Sequence, residues 1–159
     1  MNNVFVIIGG NLGNRQQNLA HAIRLIEQKS GVIKKQSSIY ETEPWGVQGQ
    51  PNYYNQVLEI LTDFDPESLM QLFLQIEQLM GRVRTEKYSA RSIDIDILFF
   101  NDQLINTPDL TIPHPRLQER RFVLEPLNEI APEFVHPELQ KTIAALLIDC
   151  TDSNVVKKI

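Results

Sequence analysis

From Ile93 to Phe99 the chain reads I-D-I-D-I-L-F, and apolar and acidic residues alternate along it. A period of two is the pattern of a β-strand, with Ile93, Ile95, Ile97 and Phe99 on one face and Asp94 and Asp96 on the other. Carboxylates two residues apart on a strand sit about 7 Å apart. At an effective dielectric near 20 they repel by roughly 2 kcal/mol when both are ionised. A divalent cation reverses that sign. The plain alternative is a solvated strand face on which two acids keep an edge soluble. Against it stand three features: Asp is a poor strand former, the apolar Leu98 follows on the same face, and Arg82, Arg84, Lys87 and Arg91 crowd the stretch just before. Hard oxygen ligands beside guanidinium groups suit Mg²⁺ carrying a polyphosphate, because the ion keeps waters, takes one or two carboxylates, and leaves phosphate oxygens for Arg to grip. Phosphoryl or nucleotidyl transfer is therefore the leading reaction class.

The rest of the composition bounds the setting of that strand. With 159 residues, 42% of them apolar and 22% charged, residues 1–159 are expected to form a single domain that buries a core without staples. A net charge of -5 argues against a nucleic-acid surface, which needs a basic stripe to release counterions. The one cysteine, Cys150, excludes an intrachain disulfide framework and a Cys-based zinc cluster. The opening M-N-N-V-F-V-I-I-G is too short for a signal peptide's apolar region and lacks its basic flank. No apolar run approaches the roughly 20 residues that span a bilayer. A soluble, cytoplasmic protein with no membrane or nucleic-acid partner is expected, and a monomer.

In chain order, Val4–Ile8 reads as a buried strand ending in Gly9-Gly10, with G-G-N-L-G-N as a structural turn. That run lacks the Lys-Ser/Thr of a phosphate loop and does not fit G-x-G-x-x-G, so its value as a nucleotide motif is low. Leu12, Leu19, Ala22, Ile23 and Ile26 recur at helical spacing, with Gly31 as the stop. Strands are expected over Val32–Tyr40 and Tyr53–Leu61. Between them lies a Pro- and Gly-containing segment with the isolated Trp45, which either packs on the core or serves a ligand. Tyr53-Tyr54-Asn55 offers aromatic faces and an amide that could hold a planar heterocycle.

Asp65-Pro66-Glu67 is a helix start with an N-cap acid and Pro at the first helical position. Leu69, Leu72, Phe73, Ile76, Leu79 and Met80 form the expected core stripe, and Gly81 stops the helix, delivering Arg82 and Arg84 toward the D-I-D strand. Glu77 is either solvated or paired with one of those arginines. After a turn at Asn101-Asp102, Leu104-Ile105 is a candidate antiparallel partner. In T-I-P-H-P-R-L-Q-E-R-R-F, His114 stands between two prolines, and Arg116, Arg120, Arg121 and Phe122 follow, a cluster resembling a second phosphate grip. Beyond Leu124, helix pieces broken at Pro126, Pro132 and Pro137 are expected, with His136 as a turn residue.

Several separated motifs agree with one another: G-R-V-R followed by R-S-I-D-I-D-I-L, T-I-P-H-P-R-L with R-R-F-V-L-x-P-L, the opening I-G-G-N-L-G, and Y-E-T-E-P-W-G with Q-P-x-Y-x-N. Together they resemble the 6-hydroxymethyl-7,8-dihydropterin pyrophosphokinase family of folate biosynthesis, over nearly the whole chain. The resemblance implies an α+β, ferredoxin-like fold, an antiparallel sheet flanked by helices in α/β/α layers. It also implies transfer of the terminal pyrophosphate of ATP to the pterin hydroxymethyl group, with release of AMP.

Residue by residue, the resemblance implies that Asp94 and Asp96 hold two Mg²⁺ ions bridging the ATP phosphates. Arg82, Arg84, Arg91, His114 and Arg120 would contact or neutralise those phosphates, Ile97 would touch adenine through its backbone, and Glu77 would anchor a network on the ATP side. Thr42 and Trp45 would offer backbone hydrogen bonds to the pterin, Asn55 would read its amide-like edge, and Tyr53 with Phe122 would sandwich the ring. The chain departs from the family pattern at Gly10, where Ser is usual, at Tyr88, where Trp is common, and at Pro115, which replaces an aromatic. Two other readings stay open on residues alone: a metal-dependent nucleotidyltransferase or cyclase on a similar sheet, and a non-catalytic ligand-binding module.

Overall fold

The computed structural model describes residues 1–44, 49–81 and 92–159. Its centre is β1 (Asn2–Gly10), whose residues from Val4 onward are all buried. β1 pairs antiparallel with β4 (Tyr53–Thr62) on one side and with β5 (Asp94–Phe100) on the other. β2 (Gly31–Gln36) and β3 (Tyr40–Thr42) both pair with β4, and the two-residue β8 (Lys157–Lys158) closes the far edge against β3. Every pairing in this sheet, β5-β1-β4-β3-β8 with β2 beside β4, is antiparallel. A separate small hairpin joins β6 (Ile105–Asn106) to β7 (Thr111–Ile112).

Helices cover both faces. α1 (Arg15–Lys29) and α2 (Pro66–Leu79) contribute Leu19, Ala22, Ile26, Leu69, Phe73 and Ile76 to one core with Val4, Val6, Ile8, Leu58 and Ile60 of the sheet. α3 (Arg121–Ile130) and α4 (Ile143–Asp149) contribute Val123, Leu124, Leu127, Ile143 and Leu146 to a second core with Phe5, Ile7 and Val57. The α+β class and the α/β/α layering expected from the sequence are thus found. No helix among the described residues is long and apolar enough to cross a membrane.

Local signals act where expected at several ends. Asp65 caps α2 by accepting from the Ser68 N–H at 2.8 Å, with Pro66 as the first helical residue. Gly81 follows that helix at φ 83°, a left-handed conformation that favours glycine. α1 ends at Lys29 with Ser30 as its cap, and Gly31 opens β2, where a Cβ would lie 2.0 Å from the Leu61 carbonyl oxygen.

Other expectations are corrected. Gly9 and Gly10 belong to β1, not to a turn, and Leu12 lies in the connection ahead of α1, exposed to solvent. The strand expected over Val32–Tyr40 is broken at Ser37, whose Oγ accepts from the Val57 N–H at 2.9 Å and takes over a ladder position. Leu79 is exposed at the end of α2. Leu104 and Ile105 do not return to β5: Ile105 pairs with Ile112. Pro126 does not end a helix piece as expected: it is the sixth of the ten residues of α3 and has no N–H to give the Phe122 carbonyl.

The most consequential correction is in β5. Phe5 pairs with Phe99 and Val6 with Ile97, so the register slips by one residue at Leu98. Such a bulge turns the strand over. Ile93, Ile95 and Ile97 face the α1–α2 core as expected, but Phe99 joins Leu98 in the α3–α4 core and Phe100 takes the opposite face.

Candidate active site

Four residues stand in one transverse row of the sheet. Asp94 on β5 is opposite Gly9 on β1, Gly9 is opposite Asn55 on β4, and Asn55 is opposite Tyr40 on β3. Registered neighbours share a face, and strands are about 4.8 Å apart, so the Asp94 and Asn55 Cα atoms lie roughly 10 Å apart across Gly9. Strand alternation adds Asp96, Tyr53 and Thr42 to that face, with Thr42 directly opposite Tyr53. It is the face of Phe5, Ile7 and Val57, beneath α3 and α4.

Gly9 makes the row possible. A Cβ at that position would lie 2.0 Å from Asn55 Oδ1 and 2.9 Å from the Tyr54 carbonyl oxygen. The Asn55 amide therefore occupies the space a side chain on β1 would take, and the residue is only 7% exposed. The sequence signal was present in Gly9-Gly10 at the end of an apolar strand, but it read as a turn.

Phe122 opens α3 on this face and packs against the second core. Arg120 precedes the helix, with its Cζ 5.8 Å from the centre of the Phe122 ring. The four-member basic cluster expected around His114 divides here. Arg121 donates from Nε to the Asp152 carbonyl at 2.9 Å and from Nη2 to the Cys150 carbonyl at 3.2 Å, and it pairs with Glu125. It ties down the C-terminal segment. Arg116 pairs with Glu119 at 3.3 Å on the exposed side of the turn. His114 lines the cleft along β5, and Arg120 lies beside the Phe122 ring.

Among the described residues β5 is an edge strand, so half of its backbone polar groups need partners beyond the sheet. Glu77 of α2 supplies one: its Oε2 accepts from the Ile95 N–H at 2.8 Å. At 2% exposure Glu77 is a buried carboxylate, which rules out the solvated alternative. Along the same edge runs a cleft of about 540 Å³ whose walls include Ile95, Asp96, Ile97, Thr111, His114 and Asp109. A neighbouring cavity of about 510 Å³ shares Met70, Gln71, Asp109 and Leu110 with it but reaches neither aspartate of β5.

His114 is held by its own N–H, which donates to the Leu98 carbonyl at 3.0 Å at the bulge. Burial, followed by the charges of Arg120 and Arg116, lowers its pKa to about 4. At neutral pH the imidazole is thus uncharged and offers a hydrogen bond. His136 is the turn residue anticipated: its Nδ1 accepts from the Glu138 and Leu139 N–H groups at 3.1 and 3.0 Å.

Trp45, Arg82, Arg84 and Arg91 lie outside the described residues. Among the described residues no three His, Cys, Asp or Glu side chains gather closely enough to cage a metal ion. Two carboxylates at i and i+2 on one strand face are the donor set of an ion that keeps waters and takes its remaining ligands from phosphate, which is how Mg²⁺ is usually held. Two residues of the G-G-N-L-G-N-R run escaped notice in the sequence. Asn11, 1% exposed, donates to the Pro51 carbonyl at 3.1 Å and to Gln50 Oε1 at 3.3 Å. Arg15 donates to the Asn52 carbonyl at 2.8 Å. Neither had a signal beyond being polar near a turn.

Residues 5–132 match the family of 7,8-dihydro-6-hydroxymethylpterin-pyrophosphokinase (HPPK). The 2-amino-4-hydroxy-6-hydroxymethyldihydropteridine pyrophosphokinase of Bacillus subtilis is 44% identical over 132 residues, 82% of this chain and 79% of that one. Its counterpart in Haemophilus influenzae is 36% identical over 154 residues, 96% of each chain. The folic acid synthesis protein FOL1 of Dictyostelium discoideum is 43% identical over 89% of this chain, which spans only 21% of that longer protein. Among solved structures, Plasmodium falciparum HPPK-DHPS superposes with a TM-score of 0.78 at 22% identity, over 94% of this chain and 43% of that one, a likeness of fold.

Proposed function

Because the chain belongs to the 7,8-dihydro-6-hydroxymethylpterin-pyrophosphokinase family, we propose that it transfers the terminal pyrophosphate of ATP to 6-hydroxymethyl-7,8-dihydropterin in folate synthesis, releasing AMP. The observation that carries this reading onto the site is the row Asp94–Gly9–Asn55. It sets an acidic, phosphate-side position and a buried amide about two strand spacings apart on one face, roughly 10 Å. That separation is on the scale of a bicyclic pterin and its hydroxymethyl arm.

In this reading the pterin lies over the row. Asn55 reads its amide-like edge, the Thr42 backbone adds a hydrogen bond, and Tyr53 and Phe122 stack on its two faces, where offset aromatic contact favours a planar ring. ATP enters along the edge of β5, its base against Ile97 in the 540 Å³ cleft and its phosphates toward Asp96, His114 and Arg120. Glu77 holds Ile95 and thereby the two aspartates that flank it. Asp94 and Asp96 would hold Mg²⁺, two ions in the fullest form of the reading. When bound, the ions draw phosphate oxygens together and offset their charge.

The chain's own groups supply binding and alignment, and no side chain serves as a covalent nucleophile. The pterin hydroxymethyl oxygen bonds to the β-phosphorus. The bond between that phosphorus and the oxygen bridging it to the α-phosphorus breaks, AMP departs with the bridging oxygen, and the hydroxyl proton passes to solvent. Arg82, Arg84 and Arg91, a short way before β5 in sequence, join the phosphate contacts in this reading. An assay with ATP, Mg²⁺ and 6-hydroxymethyl-7,8-dihydropterin should form AMP only when all three are present. AMP formed equally well without the pterin would overturn the assignment.

A further inference from the structure

The guanidinium of Arg15 stands where the chain leaves β3 and where it returns to β4. It lies 3.6 Å from the Glu41 carboxylate on the outgoing side and donates to the Asn52 carbonyl at 2.8 Å on the returning side. Its Cζ sits 4.0 Å from the centre of the Tyr54 ring, a cation–π distance. Glu41 and Tyr54 are themselves directly opposite in the β3–β4 ladder. One planar cation thus touches three groups belonging to the two stems of the same connection. Asn11 reinforces the returning stem one and two residues earlier, through the Pro51 carbonyl and Gln50 Oε1.

Arg15 does not lie on the face of the Asp94–Asn55 row, because it covers the Tyr54 ring. Tyr54 alternates with Tyr53 and Asn55 and packs toward the α1–α2 core. Arg15 therefore grips the stems from behind the sheet. The residues whose positions it sets are Thr42, next to Glu41, and Tyr53, next to Asn52 and Tyr54; these two are opposite each other in the ladder. β3 is only three residues long, so its pairing supplies little stiffness of its own, and a side-chain clamp at its end has a large share in fixing Thr42.

We propose that Arg15, seconded by Asn11, is a positioning residue for the pterin subsite, acting through the stems that carry Thr42 and Tyr53 and touching neither substrate. The inference rests on the functional reading above. Arg contributes here through a planar fork that can bond, stack and pair at once, which the ammonium of Lys cannot do.

The test is a pair of titrations, 6-hydroxymethylpterin followed by its own fluorescence and a non-hydrolysable ATP analogue followed by calorimetry, with steady-state KM values for both substrates, on wild type, Arg15→Ala, Arg15→Lys and Glu41→Gln. Arg15→Ala should weaken pterin binding and raise the pterin KM by about tenfold, the scale on which small misplacements at a site are felt. The ATP values should stay within about twofold. Arg15→Lys should recover only part of the loss, and Glu41→Gln, which leaves the Asn52 contact and the core untouched, should give a smaller loss of the same kind. A lowered melting temperature with unchanged pterin binding would overturn the inference, as would equal losses for both substrates. Failure of the wild type to bind the pterin at all would sink the functional reading and this inference with it, whereas a binding wild type with indifferent variants sinks the inference alone.

Discussion

The carbonyl oxygen of the Asn55 side chain lies over Gly9, at only 2.0 Å from where a Cβ on Gly9 would stand. A methyl group at Gly9 forces the amide to move, because the nearby Tyr54 carbonyl oxygen belongs to the backbone and cannot yield. Gly9→Ala should thus mimic Asn55→Ala: pterin affinity falls roughly tenfold, the scale of one lost buried hydrogen bond, while affinity for the ATP analogue holds. Titration of both ligands checks this. Unchanged pterin binding in Gly9→Ala would mean that the amide, where it stands, does not face the ligand.

Acid should destabilise the fold through His114. Its pKa is lowered to about 4 from an ordinary 6.5, first by burial and then by Arg120 and Arg116. The unfolded chain takes up this proton near pH 6.5 and the folded chain only near 4, so the stability His114 contributes is whole above 6.5 and is lost as pH falls toward 4. His136 is shifted in the same direction, mainly by burial, and adds to the slope. Urea unfolding at pH 7 and pH 5 should show a smaller drop in His114→Gln than in wild type. Equal drops would show that His114 titrates normally in the folded protein.

Much of this arrangement was legible in the sequence, and what was not has physical causes. The D-I-D alternation identified β5 and the shared face of Asp94 and Asp96, because period two allows no other assignment. It holds through Leu98 and fails at Phe99, because a bulge is set by pairing with β1 and by the His114 backbone N–H bonded to the Leu98 carbonyl. Ser37 broke a predicted strand through its hydroxyl, a choice decided by Val57 twenty residues away. Arg121 and Arg120 are adjacent and chemically identical in sequence; only the path of the C-terminal segment assigns the first to Asp152 and leaves the second beside Phe122. Gly9 resembled a turn glycine because close approach between neighbouring strands leaves no local signature.

The two aspartates should trade stability against activity. Each Asn substitution removes one like charge with little change of shape, so metal-free Asp94→Asn and Asp96→Asn should melt higher than wild type, by part of the roughly 2 kcal/mol repulsion. Activity should collapse, since an amide is a weak Mg²⁺ ligand beside a carboxylate. Mg²⁺ with the ATP analogue should raise the melting temperature of wild type far more than of either variant. A lower melting temperature for a metal-free variant would show that neighbouring cations, not mutual repulsion, dominate the pair.

In the proposed reaction the pterin hydroxymethyl oxygen attacks the β-phosphorus of ATP. Phosphorus NMR of a completed reaction with ATP, Mg²⁺ and 6-hydroxymethyl-7,8-dihydropterin reads this directly. The expected products are AMP and a diphosphate ester with two coupled phosphorus signals. ADP with a pterin monophosphate, a single uncoupled ester signal, would contradict it.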